Sequence, residues 1–274
     1  APFEEVYRPL HRIGGGGHGS VWRCEHRATG IHLAVKRVAG NTLLDAHLFE
    51  SELKALLPLD HPHVVRLVEY FNQGGEFILV LQLCEGPDLL DFLMDMAERP
   101  PHRCSEREAS RIIGQVLKAV LCCHVHHIIH KDVKPENFVF VHDHKSPLKM
   151  IDLGLSEFQT EQQDWALSGS FPYMAPEILN ATGHDERSDI WSVGCMLFSL
   201  LLGRPFVPNE AEHVIRDLLA KPEEYLEIRL RECDASQLLS KDALDLIRGM
   251  LAEDPEDRFE AAQALQHRFV LKGY

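Results

Sequence analysis

Apolar positions recur with a period of two through the front of the chain. Segments 7–13, 20–25 and 31–38 are rich in Val, Ile, Leu and aromatic residues, with Ile31, Leu33 and Val35 alternating, and read as strands. A glycine run at 14–17 separates the first two. At 43–57 the period becomes helical, with Phe49, Leu53, Leu56 and Leu57 recurring along the segment. Strand-like runs return at 64–71 and 77–83. Beyond Gly86-Pro87 the pattern turns helical. Over 106–126, Ile112, Ile113, Val116, Leu117, Val120 and Leu121 share one face, and Ser105 with Glu108 predicts a capping box at its start. Short strands at 138–141 and 148–151 flank a polar turn, and further helices are expected near 188–203, 209–219, 241–252 and 260–269. The pattern predicts an α+β chain: a small β-rich front with one main helix, joined to a larger α-helical back.

Size and charge narrow this picture. The 274 residues are 45% hydrophobic and 26% charged, as in a soluble globular protein, and suffice for one large domain or two joined lobes. Against 28 Lys and Arg stand 42 Asp and Glu, a net charge of −14. That balance argues against nucleic-acid and anionic-membrane partners, which need clustered cations. It leaves room for a basic peptide or for phosphates held through metal ions. Seven Cys without a C-x-x-C pair argue against a disulfide framework, and Cys122-Cys123 reads as buried thiols. His124, His126 and His127 read as a helix end. No apolar run approaches the ~20 residues of a membrane span. The start, Ala1-Pro2-Phe3-Glu4-Glu5, lacks a signal-peptide pattern and an initiator Met, so the chain reads as a piece of a longer, intracellular, cytoplasmic protein.

Chemistry enters with three motifs. Gly14, Gly16, Gly19 and Val21 form G-x-G-x-x-G-x-V between two strand signals, where main-chain N–H groups can approach phosphate oxygens; a flexible hairpin is the alternative. The glycines lead into a strand, unlike a dinucleotide fingerprint. Next comes Leu33-Ala34-Val35-Lys36. A strand lysine gains meaning if a carboxylate on the following helix holds it, and Glu50 and Glu52 are both candidates that periodicity does not separate. Then His130-Lys131-Asp132-Val133-Lys134-Pro135-Glu136-Asn137 is followed by Asp152-Leu153-Gly154 and Ala175-Pro176-Glu177. Phosphoryl transfer needs a carboxylate near the acceptor hydroxyl, oxygen ligands for Mg²⁺ and a cation for the moving phosphate. Asp132, Asn137 with Asp152, and Lys134 supply that set in order.

On these motifs the chain resembles the eukaryotic protein kinase family from about residue 7 to 270, including Asp189-Ile190-Trp191 and Asp257-Arg258-Phe259. Lys134-Pro135-Glu136-Asn137 resembles the serine/threonine form, and 61–65 with 241–270 is most similar to the calcium/calmodulin-dependent group. The resemblance implies a bilobal kinase fold with a nucleotide-binding lobe at 1–85 and a catalytic and peptide-binding lobe at 86–274. It implies use of ATP and Mg²⁺, with Gly14, Gly16 and Gly19 over the phosphates and Val21, Ala34 and Val139 around the adenine. Lys36 would hold the α- and β-phosphates with Glu52 as its partner. Leu81 would be the gatekeeper of a hinge at Gln82, Leu83 and Cys84. Asp132 would accept the substrate proton, Lys134 would bridge to the γ-phosphate, and Asn137 and Asp152 would hold the metals. Asp189 would anchor the catalytic loop from below, and Arg258 would pair with Glu177. Asp88, Glu136 and Ser170 would face the peptide, the two acids suiting an Arg upstream of the acceptor.

Departures from the family pattern are Lys131 for the Arg before the catalytic Asp, Leu153 for a Phe, and Ser170 for a Thr. Lys offers a point charge where Arg offers a bidentate fork. Between Asp152 and Glu177 the Ser and Thr residues are Ser156, Thr160, Ser168 and Ser170. Lys131 is expected to pair with Glu161 or Asp164 there, giving activity with little dependence on phosphorylation. Two rival functions are a kinase-shaped scaffold without phosphotransfer and a small-molecule phosphotransferase. Retention of Lys36, Asp132, Asn137 and Asp152 argues against the first, and Ala175-Pro176-Glu177 with Asp189-Ile190-Trp191 against the second.

Overall fold

Alternation in the front of the chain builds a five-stranded antiparallel sheet of order β1-β2-β3-β5-β4. The strands are β1 (Tyr7–Gly16), β2 (Gly19–His26), β3 (His32–Ala39), β4 (Leu67–Gln73) and β5 (Glu76–Gln82). The structure is a computed structural model that describes residues 1–16, 19–40, 42–159, 169–183 and 185–273. Both faces of the sheet are covered. A short helix α1 (Phe3–Val6) sets Phe3 against Tyr7 and Phe71, with ring centroids 5.3 and 5.6 Å apart, over a core of Cys24, Val35, Ile78 and Val80. The other face receives α2 (Leu43–Leu56), which begins at a capping box between Thr42 and Asp45. Its Phe49 stacks on Phe77 at 4.6 Å. Burying an aromatic side chain of this size contributes about 1.5–3 kcal/mol, enough to fix which face of α2 meets the sheet.

The rest of the chain is a helical lobe carrying short strands. Helices α3 (Leu89–Glu98) and α4 (Glu106–Val125) lead to strands β6 (Ile128–Ile129), β7 (Phe138–Phe140), β8 (Leu148–Met150) and β9 (Glu157–Phe158). These pair as β6 with β9 and β7 with β8. Then follow α5 (Pro176–Leu179), α6 (Arg187–Leu202), α7 (Glu212–Leu218), α8 (Pro222–Glu232), α9 (Ala235–Leu238), α10 (Lys241–Met250), α11 (Ala261–Gln266) and α12 (Arg268–Lys272). Every residue from Ser188 to Leu202 is buried, so α6 is the central post of the lobe. Ile112, Ile113, Val116, Leu117 and Val120 of α4 pack into the same core with no exposure. Among the described residues no helix is long and apolar enough to cross a membrane.

Several details differ from the sequence expectations. Half of the Ser105 capping box forms: its hydroxyl accepts from Glu108 N at 3.2 Å, but the Glu108 carboxylate is taken by Arg111 at 2.7 Å. The run at 64–66 is not a strand; Val64 makes an isolated bridge to Met150. The helix near 260–269 breaks at His267, whose extended backbone separates α11 from α12. The first glycines of the 14–17 run lie inside β1, where Gly16 pairs with Gly19. Cys123 is fully buried as expected, while Cys122 is only partly so. All seven cysteines are unbridged.

Candidate active site

Between the sheet and the helical lobe lies a cleft of about 860 Å³. Gly14, Gly19, Val21, Ala34, Lys36, Leu81, Gln82 and Cys84 line it from the sheet side. Asp88, Lys134, Glu136, Asn137, Val139 and Asp152 line it from the other. Strand register accounts for this convergence: β3 sets Ala34 beside Leu81 and Lys36 beside Val21, and β7 sets Val139 against Lys149 of β8. Gly19 has φ +120, and a Cβ there would stand 2.3 Å from the Arg37 carbonyl, so only glycine lets β2 turn so close to β3. Glu52, Asp132 and Ser170 do not line the cleft itself; all three are bonded to residues of the site.

Lys36 is the hub of the upper wall. Its Nζ donates to both Glu52 oxygens at 2.7 Å and to Asp152 Oδ1 at 3.1 Å. Packing decides what periodicity left open, because Glu52 is 3% exposed while Glu50 faces solvent. Burial works against a charged lysine, yet the two carboxylates raise Lys36 above its ordinary value. Burial likewise opposes the Asp152 carboxylate, and Lys36 with the Gly154 N–H holds it below the usual range. Asp152 therefore stays ionised. Asn137 donates Nδ2–H to the Asp132 carbonyl at 2.7 Å, which leaves its own carbonyl oxygen as an acceptor. A carboxylate and an amide oxygen on one cleft form a hard oxygen donor set that fits Mg²⁺.

The loop between β6 and β7 is shaped from beneath by Asp189 of α6, which is 1% exposed. Its carboxylate accepts from His130 N at 2.9 Å, Lys131 N at 3.0 Å and His124 Nε2 at 2.9 Å. His124 thus does more than end a helix; nothing in its local sequence pointed to a partner so far along the chain. Above this base, Asp132 Oδ2 pairs with Lys134 Nζ at 2.7 Å, and Oδ1 accepts from the Ser170 hydroxyl at 3.0 Å. Lys134 Nζ also donates to Ser170 Oγ at 2.9 Å. Gly169 reaches this position at φ +112, where a Cβ would stand 2.6 Å from the Lys131 carbonyl.

Lys131 pairs with an acid that the sequence pattern did not single out. Its Nζ donates to Glu157 Oε2 at 2.8 Å, whereas Thr160, Glu161, Asp164 and Ser168 lie outside the described residues. Farther below, Arg258 and Glu177 form a bidentate buried pair, one arm of 3.0 Å, with Trp191 stacked 5.2 Å from the guanidinium. At the cleft mouth, Arg23 and Glu85 pair at 2.7 Å; sequence reasoning missed both, since β2 and the residues after β5 meet only in three dimensions. Ile13 and Ile151, also missed, extend the apolar lining; they end the strand-like runs 7–13 and 148–151, which carried that signal.

Cys84 combines cleft exposure with low reactivity. Burial pushes its thiol up to about 11, against about 9 for a free cysteine. At pH 7.5 its thiolate fraction is then about a hundredth of the ordinary one. Iodoacetamide is expected to label Cys84 correspondingly slowly in the native protein and at an ordinary rate in urea, as read by peptide mass mapping. Equal rates would contradict the assigned burial.

Bilobal form, cleft and loop network together define a protein kinase domain. A family model for the protein kinase domain matches residues 7–270, and the chain belongs to that family. The chain is 33% identical over 278 residues to calcium-dependent protein kinase 12 of Oryza sativa subsp. japonica, covering 98% of this chain and 49% of that protein. It is 32% identical over 268 residues to calcium-dependent protein kinase 29 of Arabidopsis thaliana, covering 95% and 48%. Serine/threonine-protein kinase PLK4 of Nematostella vectensis is 32% identical over 271 residues, covering 97% of this chain and 26% of that one. The chain spans about half the length of the calcium-dependent relatives it matches.

Proposed function

We propose that the chain transfers the γ-phosphate of ATP to Ser or Thr of a protein substrate. The observation that carries this reading is the joining of Lys36 to both Glu52 and Asp152 on the cleft that also holds Lys134 and Asn137. In this reading residues 1–85 form the nucleotide-binding lobe and 86–274 the catalytic and peptide-binding lobe, hinged at Gln82, Leu83 and Cys84. The glycines 14, 16 and 19 cover the phosphates, Val21, Ala34 and Val139 enclose the adenine behind Leu81, and Lys36 fixes the α- and β-phosphates. Asp132 orients the acceptor hydroxyl and takes its proton, with Lys134 beside it to neutralise charge on the moving phosphate. Asn137 and Asp152 would hold Mg²⁺, which when bound offsets the negative charge of the phosphates. Seven unbridged thiols support a reducing, cytoplasmic setting.

The preferred substrate is a peptide bearing Arg upstream of the acceptor. Glu85, Asp88, Asp91 and Glu136 line the cleft, and Glu136 Oε2 is buried with no hydrogen-bond partner among the described residues. Asp88 is partly committed already, since its carboxylate caps α3 by accepting from Asp91 N at 2.8 Å. Glu136 is therefore the better guanidinium acceptor of the two. A hydrogen bond to a charged group contributes about 1.5–3 kcal/mol, roughly 10- to 100-fold. Glu136→Gln is expected to lower kcat/KM at least tenfold for an Arg-containing peptide and less than twofold for its Arg-free analogue. Equal losses on both peptides would reject the Arg preference while leaving phosphotransfer standing.

The broader reading is tested by offering Mg·ATP with serine peptides and with small hydroxylated molecules in parallel. Phosphopeptide is the expected product. Nucleotide binding without any product supports the scaffold, and a small-molecule product without phosphopeptide supports the other phosphotransferase.

A further inference from the structure

The residue before Asp132 is held in an unfavourable conformation. Lys131 has φ +66, in the left-handed region that a side chain disfavours. Contacts on three sides keep it there. Its N–H donates to Asp189 Oδ1 at 3.0 Å, and its carbonyl faces Gly169 so closely that a Cβ would not fit. Its Nζ donates to Glu157 Oε2 at 2.8 Å, with the two side chains only 12% and 13% exposed. In a pair so shielded from water, removing one partner leaves the other charge buried and unpaired.

Glu157 owes its place to strand pairing. In β9 it lies opposite Ile129 of β6, two residues before Lys131. On the other side, Ser51, the neighbour of Glu52 on α2, donates its hydroxyl to the Ser156 carbonyl at 3.0 Å. Strand β9 and the residue before it therefore touch both halves of the site: the helix that carries Glu52 and the loop that carries Asp132. Where the segment returns, Ser170 bonds Asp132 and Lys134. Both described ends of the segment are thus fastened to the catalytic loop, one by a carboxylate and one by a hydroxyl of the chain itself.

We propose that Glu157 is a positioning residue for phosphoryl transfer: through Lys131 it seats Asp132 and the start of the segment leading to Glu177, so the chain is competent without phosphate on that segment. This rests on the kinase reading above. Glu157 does not line the cleft, so its loss should slow turnover without weakening nucleotide binding.

The test uses the full chain, treated with phosphatase and shown to be phosphate-free by intact mass. Wild type in that state is expected to turn over within twofold of protein preincubated with ATP. Glu157→Gln is expected to lose at least tenfold in kcat with KM for ATP within twofold. Lys131→Arg, which reaches the same carboxylate, should keep at least a third of the activity. If Glu157→Gln fails to fold, the double variant Lys131→Met/Glu157→Met removes both charges at similar volume. It is expected to melt near wild type with the same kcat loss. The role is overturned if phosphate-free wild type is inactive until phosphorylated, if Glu157→Gln or the double variant keeps wild-type kcat, or if the loss lies in KM for ATP. No transfer by wild type in either state overturns the kinase reading itself; transfer that ignores Glu157 overturns only the positioning role.

Discussion

Asp132→Asn should lower kcat by about a thousandfold or more, since a positioned general base contributes roughly 10²- to 10⁴-fold. The substitution keeps an oxygen able to accept from Ser170 but cannot take a proton. It also discharges the partner of Lys134, now 2.7 Å away. Nucleotide affinity should change less than about threefold, because Asp132 does not line the cleft and Lys36, Asn137 and Asp152 remain. Initial rates of peptide phosphorylation, with nucleotide binding followed by calorimetry, separate these effects. A variant that keeps a tenth of wild-type kcat would remove Asp132 from the role of base.

The second large effect concerns stability. Arg258 has no side-chain exposure and Glu177 only 9%. Besides Glu177, the guanidinium donates to the carbonyls of Ala252 at 3.0 Å and of Arg187 and Glu253 at 3.2 Å. Arg258→Met strands the Glu177 carboxylate in the interior and orphans those carbonyls. Breaking one side of such a pair costs about 3–5 kcal/mol, more than the pair itself contributes over an apolar replacement. For a chain of this size that is roughly a 6–20 °C fall in the unfolding midpoint. Differential scanning calorimetry measures it, and the double variant Arg258→Met/Glu177→Met should recover the part due to the stranded carboxylate. A single variant melting within about 2 °C of wild type would contradict the burial argument.

Legibility of the fold followed the strength of local periodicity. Strand β3 and helices α2 and α4 stood out because their buried positions recur at strand or helix spacing, and α6 because its apolar run is long. Helix α8 did not, since only Pro222, Leu226 and Leu230 are buried there, Tyr225 is partly so, and the rest is charged or exposed. The two-residue strands β6 and β9 carry too few positions for any period to register. Residue types of the site were legible from motif order, but partnerships were less so. The choice of Glu52 over Glu50 depends on how α2 rotates against the sheet. The Lys131–Glu157 and His124–Asp189 bonds depend on tertiary approach, and the acids expected near Lys131 were placed by sequence neighbourhood alone. Asp88 shows the reverse: a local role, the cap of α3, accounts for one of its oxygens and weakens its claim on a peptide Arg.

The most direct test is phosphate transfer from Mg·ATP to a peptide with a single serine, read by mass at that residue. The account predicts phosphoserine that forms only with Mg²⁺ present and vanishes in Asp132→Asn. Tight ATP binding by the wild type with no phosphoserine on any peptide of a degenerate library would contradict it.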